Sequence, residues 1–290
     1  MIEQIKFLWR HHFLVLYLHF KHINLKDVEQ CFDPPTSSFS LKYSSSLGSI
    51  KDFVMIASAK WPISPSYSFT NNFYSYEPTE TVKDLGVIFD KNLTFNEHVI
   101  KTVSSCMSTL GQISRVKHAF RRDILIIIIN SLVFSKLYYC SSVWANTTDN
   151  NIKKLQGIQN FAAWIVCNIR KYDHVSPALK SLNWIPVESN LYLRDAVMAF
   201  KCMKGLVPQY LSNKFTLRGS ISGRVTRSSQ KLNIPLCKTA TGQRSFYYRI
   251  VSIWNAISHK LKLSLSVTSF KRNLKSDLLK KFLSWFNSSF

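Results

Sequence analysis

Between residues 96 and 215, apolar side chains return at intervals of three and four, the repeat of helices with one face turned inward. Val99, Val103, Cys106, Leu110 and Ile113 form the first stripe, on a helix of about six turns. Just ahead of it, Thr94-Phe95-Asn96-Glu97 fits a capping box, in which the Thr94 hydroxyl accepts an orphan backbone N–H and Glu97 reaches back to the cap. A second helix is predicted from Asp123 to about Trp144. Its apolar run from Ile124 to Ile129 resumes at Leu132-Val133-Phe134 and Leu137-Tyr138-Tyr139, which predicts a buried helix. Asn130, Ser131, Ser135 and Lys136 interrupt that run well short of the roughly 18–20 residues a membrane span requires. Asp149 is predicted to cap a third helix, on which Ile152, Leu155, Ile158, Ala162 and Ile165 face one way. Pro186 suits the first position of a fourth, running from Val187 to about Lys204 with Gly205 just past its end. Pro208 then opens a short helix through Leu211. The predicted fold is mainly α: an antiparallel helical bundle with short connections.

The flanks differ from this bundle. Lys83 to Asp90 is rich in β-formers and is followed by the turn-prone Lys91-Asn92, which predicts a strand within a short β segment at residues 79–95. Residues 1–78, with serines clustered between 37 and 49 and prolines at 62, 65 and 78, predict little order beyond a short helix within residues 2–20. After the bundle, Arg218 to Arg224 predicts a polar loop and Lys231 to Pro235 a short extended segment. Two further helices are expected at Ser245 to Asn255 and Ser269 to Leu283. Residues 216–290 therefore form a loop-rich, basic α region, and the expected organisation is 1–78, 79–95, 96–215 and 216–290.

Charge changes the picture at that last boundary. The chain carries a net +22, and from Lys201 onward 17 Lys and Arg face a single acid, Asp277. A field of one sign over ninety residues repels itself, so it implies a polyanionic partner. Nucleic acid fits that requirement better than a surface kept basic for solubility alone, because the asymmetry is confined to one end.

The remaining chemistry excludes more than it suggests. Cysteines 31, 106, 140, 167, 202 and 237 are too widely spaced for zinc or for a secreted disulfide framework, so free, mostly buried thiols in a reducing compartment are expected. No histidine has a neighbouring cysteine, and neither a metal nor another cofactor is implied. Phe13 to Leu18 is too short for a span and lacks a small-residue cleavage site, so an intracellular, non-secreted and non-membrane protein is expected. Eight glycines do not cluster into a phosphate loop, and no nucleophile motif is present. Asp84 and Asp90, at a spacing of six on one predicted strand, stand about 20 Å apart, too far to share a metal ion.

The stretch Asp84-Leu85-Gly86-Val87-Ile88-Phe89-Asp90-Lys91-Asn92-Leu93-Thr94-Phe95-Asn96-Glu97-His98-Val99 resembles the end of the palm in LINE-type retrotransposon reverse transcriptases of the jockey-like and chicken-repeat-like groups. Leu155-Gln156-Gly157-Ile158-Gln159-Asn160-Phe161-Ala162-Ala163 and Leu182-Asn183-Trp184-Ile185-Pro186-Val187 look like that family's thumb-region signatures. Gly242-Gln243-Arg244-Ser245-Phe246, Trp254-Asn255 and Phe270-Lys271-Arg272-Asn273-Leu274 follow in the same order, so that the likeness covers about residues 80–285. It implies β-structure near the primer end at Leu85-Gly86-Val87 and, from residue 96 onward, a thumb that clamps a template–primer duplex. Trp164 departs from the family, which commonly has Arg after the paired alanines.

The family's polymerase activity needs adjacent aspartates holding two Mg²⁺ ions, and this sequence contains no Asp-Asp dipeptide. The resemblance therefore implies a non-catalytic fragment of an RNA-directed DNA polymerase, with no catalytic or metal residues. Its partner would be RNA or RNA–DNA duplex, held nonspecifically through phosphates. Arg224, Arg227, Lys231, Lys238, Arg244 and Arg249 are the leading candidates for those contacts, and Arg115, Lys117, Arg121 and Arg122 form a second cluster. Among the aromatics, Phe246 and Trp254 are expected in the core, with Tyr247 or Tyr248 left to face a ligand. Two other readings stay open: a domesticated helical protein docking an acidic protein partner, and the functionless product of a decayed element.

Overall fold

The computed structural model describes residues 69–71, 74–76, 80–170, 173–222 and 227–288. The expectations for residues 1–68 lie outside that set. The chain divides into two compact units, Met1–His98 and Val99–Phe290. The predicted mainly α architecture, with a short β segment ahead of the helices, is the one observed.

The first unit holds two small antiparallel hairpins. Strands β1 (Phe69–Asn71) and β2 (Tyr74–Tyr76) pair Phe69 with Tyr76, inside a segment that sequence left unassigned. Strands β3 (Thr81–Asp84) and β4 (Val87–Asp90) pair Thr81 with Asp90 and Asp84 with Val87. The single strand expected over Lys83 to Asp90 is thus folded back on itself at Leu85-Gly86. Both turn residues have positive φ, 45° and 84°, the conformation that a two-residue hairpin turn requires. Leucine is a poor marker for such a turn, and the continuous apolar run concealed it.

The hairpin also corrects the spacing of the two aspartates. Asp84 stands beside the turn and Asp90 at the open end, three residues along the ladder, or roughly 10 Å. Asp90 is committed locally: Oδ2 accepts from the Thr94 amide and hydroxyl at 3.0 and 2.9 Å, and Oδ1 from the Phe95 amide at 2.6 Å. These bonds hold a bend in which Leu93 and Phe95 both adopt positive φ, a region that costs non-glycine residues energy. Helix α1 (Asn96–Val116) starts directly after this bend. Near its start, buried His98 accepts a hydrogen bond at Nδ1 from the Ile88 amide, 3.5 Å away.

The second unit is helical. On α1 the predicted stripe is buried at Val99, Cys106, Leu110 and Ile113. The long second helix runs continuously through α2 (Arg122–Ile129), a π-turn (Asn130–Phe134) and α3 (Ser135–Leu137), and resumes after Cys140 as the short α4 (Ser141–Trp144). Ser131 and Ser135 bond back to the carbonyls of Ile127 and Ser131, which competes with regular helix geometry, and Cys140 at φ 46° ends the run. Nor is α2 wholly buried: Leu125 and Ile129 are inside, while Ile124 and Ile127 are exposed.

Helix α5 (Asp149–Cys167) buries Leu155, Ile158, Ala162 and Ile165 as the periodicity predicts, with Asp149 in its first turn rather than at the cap. A short helix that the pattern did not signal, α6 (Ser176–Ser181), leads to α7 (Val187–Met203), which ends before Gly205 at φ 67°. Helices α8 (Gln209–Ser212) and α9 (Arg218–Ser222) follow, the latter where a loop was expected. Then come α10 (Ala240–Gln243), α11 (Phe246–Ala256), α12 (His259–Lys262) and α13 (Val267–Ser288).

The main core joins the two segments that composition separates. Leu193, Ala196 and Phe200 of α7 pack with Ile250 and Trp254 of α11 and with Phe270 and Leu274 of α13. Phe200 stacks on Phe270 with ring centres 4.5 Å apart. The basic C-terminal region is therefore part of the bundle's interior as well as its surface.

Candidate nucleic-acid interface

Residues 155–163 and 182–187 meet in space. Gln159 Nε2 donates to the Ile185 carbonyl at 2.9 Å, and Gln156 Oε1 accepts from the Val187 amide at 2.8 Å. Gln156 Nε2 in turn donates to Gln159 and Asn160, each at 2.9 Å. This network fixes the entry to α7 against α5. Asn255 acts likewise in the C-terminal region, receiving the Leu232 amide at 2.8 Å and donating to its carbonyl at 3.0 Å. Polar residues that stand out in the sequence thus serve as backbone clasps.

The first basic cluster assembles at the junction of α1, α2, α5 and α6. Arg115 is exposed in the last turn of α1, and Arg121 and Arg122 open α2. Lys117 donates to Asn168 Oδ1 at 2.7 Å, at the left-handed end of α5. Arg122 lies 3.2 Å from Ser181 Oγ and 3.7 Å from Cys167 Sγ. Arg121 pairs with Asp123 at 3.4 Å, a highly exposed contact worth little against solvent. The fold adds Arg170 and Lys180, exposed and close along the chain to Asn168 and Ser181, which sequence spacing did not join to this group.

The second cluster is built on an antiparallel crossing. Leu217 bridges Leu232, and the Arg218 amide donates to the Lys231 carbonyl at 2.9 Å. Arg227 and Lys231 are exposed on this crossing, whereas Arg224 lies outside the described residues. Lys262 comes near Lys231 through the tertiary fold. Its ammonium sits 5.3 Å from the centre of the Trp254 ring, and partial burial together with the Lys231 charge lowers its pKa. Lys238 is exposed ahead of α10, and Arg244 is half-buried after it.

Arg249 departs from the expected set. Nε meets Asp195 Oδ2 at 2.6 Å, Nη2 donates to the Ser142 carbonyl and Nη1 to that of Arg244. Its guanidinium is turned inward and serves the packing of α11 on α7 and α4. Burial pushes the Asp195 carboxyl up from its ordinary range, and Arg249 opposes that shift.

The aromatics divide as packing dictates. Trp254 is buried and Phe246 packs against the core. Tyr247 also turns toward it, 5.2 Å from Phe215, while Tyr248 is half-buried. Trp164 packs edge-on to Phe161, and its buried indole N–H has no partner among the described residues. The five described cysteines are free, but only Cys106 and Cys202 are buried; Cys140 is exposed, and Cys167 and Cys237 are intermediate. Burial pushes the Cys106 thiol up to about 11 and that of Cys202 up to about 12.

Among the described residues no group of three His, Cys, Asp or Glu is placed to hold a metal ion, and no helix is long and apolar enough to cross a membrane. No protein-family model, curated protein or solved structure matches the chain.

Proposed function

We propose that this chain is a non-catalytic nucleic-acid-binding body of LINE reverse-transcriptase descent, corresponding to the thumb and the region after it. It holds RNA or RNA–DNA duplex inside the cell through phosphate contacts, without reading sequence. The observation that carries this reading is exposed Lys231, whose charge acts on Lys262, in a segment with no acidic residue between 201 and 276. Neighbouring like charges destabilise the free fold and are relieved by a polyanion. Arg227 and Lys238 extend the same field, and Lys117 and Arg122 supply the second contact region.

Fluorescence-polarisation titration of labelled RNA–DNA duplex, repeated at several salt concentrations, tests the proposal. A log–log slope near −0.9 for each duplex phosphate neutralised is the expected result. Affinity unchanged between low and high salt would reject it. Magnesium-dependent primer extension by the purified chain would reject the non-catalytic part on its own.

A further inference from the structure

The corner between α12 and α13 presents its apolar residues in an unusual way. Leu261 and Phe270 on either side are buried in the main core, and Val267 packs against it. Between them Leu265 is 99% exposed and Leu263 64% exposed. The corner is also tied down. The Leu263 amide donates to His259, the Ser264 amide to Leu261, the Phe270 amide to Ser266, and the Ser269 amide to Ser266 Oγ at 3.1 Å. A held loop that projects two leucines is different from a chain end that has failed to pack. The charged residues nearest along the chain are basic: Lys260 and Lys262 precede the leucines, the Lys231 charge acts on Lys262, and Lys271, Arg272 and Lys275 are exposed on the first turns of α13, ahead of Asp277.

The geometry points to this corner as a docking site for an anionic lipid surface, with Leu263 and Leu265 entering the headgroup–acyl boundary and Lys260, Lys262 and Lys231 meeting the headgroups. Aliphatic side chains have no π-face for a base and no donor for a phosphate, so nucleic acid leaves the leucines unused. A protein partner needs a shaped pocket for them, whereas hydrocarbon accepts any protruding leucine, and anionic headgroups complement the lysines. Such adsorption requires no spanning helix; it shares Lys231 and Lys262 with the duplex-binding reading, while Leu263 and Leu265 serve the lipid surface alone.

Flotation of the full-length chain with vesicles of phosphatidylcholine alone, or with phosphatidylserine added, tests the inference. Binding is expected to the mixed vesicles and not to neutral ones. The L263S/L265S variant should lose roughly tenfold or more of that affinity, the scale of withdrawing a leucine from hydrocarbon. It should keep wild-type affinity for RNA–DNA duplex, because its lysines are intact. A K260Q/K262Q variant should also lose vesicle binding. Failure of the wild-type chain to float with phosphatidylserine vesicles overturns the inference, as does equal flotation of wild type and the leucine variant. Loss of duplex binding with vesicle binding retained would defeat the nucleic-acid proposal alone.

Discussion

Asp195 and Arg249 face each other at 2.6 Å with only 2% and 12% of their side chains exposed, joining α7 to α11 across fifty-four residues of chain. The guanidinium reaches α4 as well, through the Ser142 carbonyl, so one side chain ties three helices. Removing either partner strands the other charge in the interior. Asp195→Ala or Arg249→Ala is expected to destabilise the fold by about 3–5 kcal/mol in urea denaturation. Replacing both together by apolar residues of similar volume, Asp195→Leu with Arg249→Met, should recover most of the loss. A double variant as unstable as the singles would mean that the pair does more than satisfy its own buried charges.

Gln159 gives a second, smaller test. Gln159→Leu keeps the bulk but leaves the buried Ile185 carbonyl without its donor, a change of about 1–3 kcal/mol. Gln156→Leu removes the acceptor of the Val187 amide at the first residue of α7 and should act in the same direction. Because the two glutamines bond each other, the double variant should lose less than the summed singles. Urea midpoints for the three variants decide this.

His98 predicts a pH response in the hairpin region. Burial lowers its pKa below the ordinary 6.5, so the folded state favours neutral imidazole, and Nδ1 must be unprotonated to accept from Ile88. The unfolded state binds the proton more readily, and linkage then makes stability rise with pH. The contribution is present above about pH 6.5 and is lost as pH falls through the depressed folded value. Protection of the Ile88 amide against hydrogen exchange, corrected for intrinsic rates, should decline on acidification. His98→Gln should flatten that profile.

The basic clusters predict separable effects on binding. K231Q/K262Q should weaken duplex affinity uniformly across sequences and reduce the salt slope by roughly one for each phosphate that is no longer neutralised. K117Q/R122Q should do the same if the first cluster shares the duplex, and should also release the Lys117–Asn168 and Arg122–Ser181 hydrogen bonds. Arg249→Gln, in contrast, should reduce stability before it reduces affinity. Titrations with thermal melts on the same samples distinguish the two.

Much of the helical framework is legible in the chain. The stripes of α1 and α5, the extent of α7 between Pro186 and Gly205 and the helix beginning near Ser245 follow from periodicity and end chemistry, and the structure keeps them. What escaped depends on geometry that a linear pattern does not encode. The β3–β4 turn uses Leu85 where Asn or Asp is the usual marker, and the helix that continues α2 takes a π-turn where serine hydroxyls bond back to helix carbonyls. The candidate site shows the same division. Charge density is a property of composition, so the basic end was visible at once. Which cation faces outward is a tertiary fact: Arg249 turns inward because Asp195, itself on the apolar-patterned α7, is buried beneath it, and Lys262 joins Lys231 only through folding.

The core shared by α7, α11 and α13 bears on how this protein is taken apart. Phe200 is covered by Trp254 and Phe270, both drawn from the strongly basic region. Cutting the chain near residue 215 to remove the charges would therefore uncover the interior face of α7 and leave an aggregating stub rather than a neutralised protein. Charge and fold are carried by the same helices here, so only side-chain substitution, never shortening, can separate what the surface attracts from what keeps it folded.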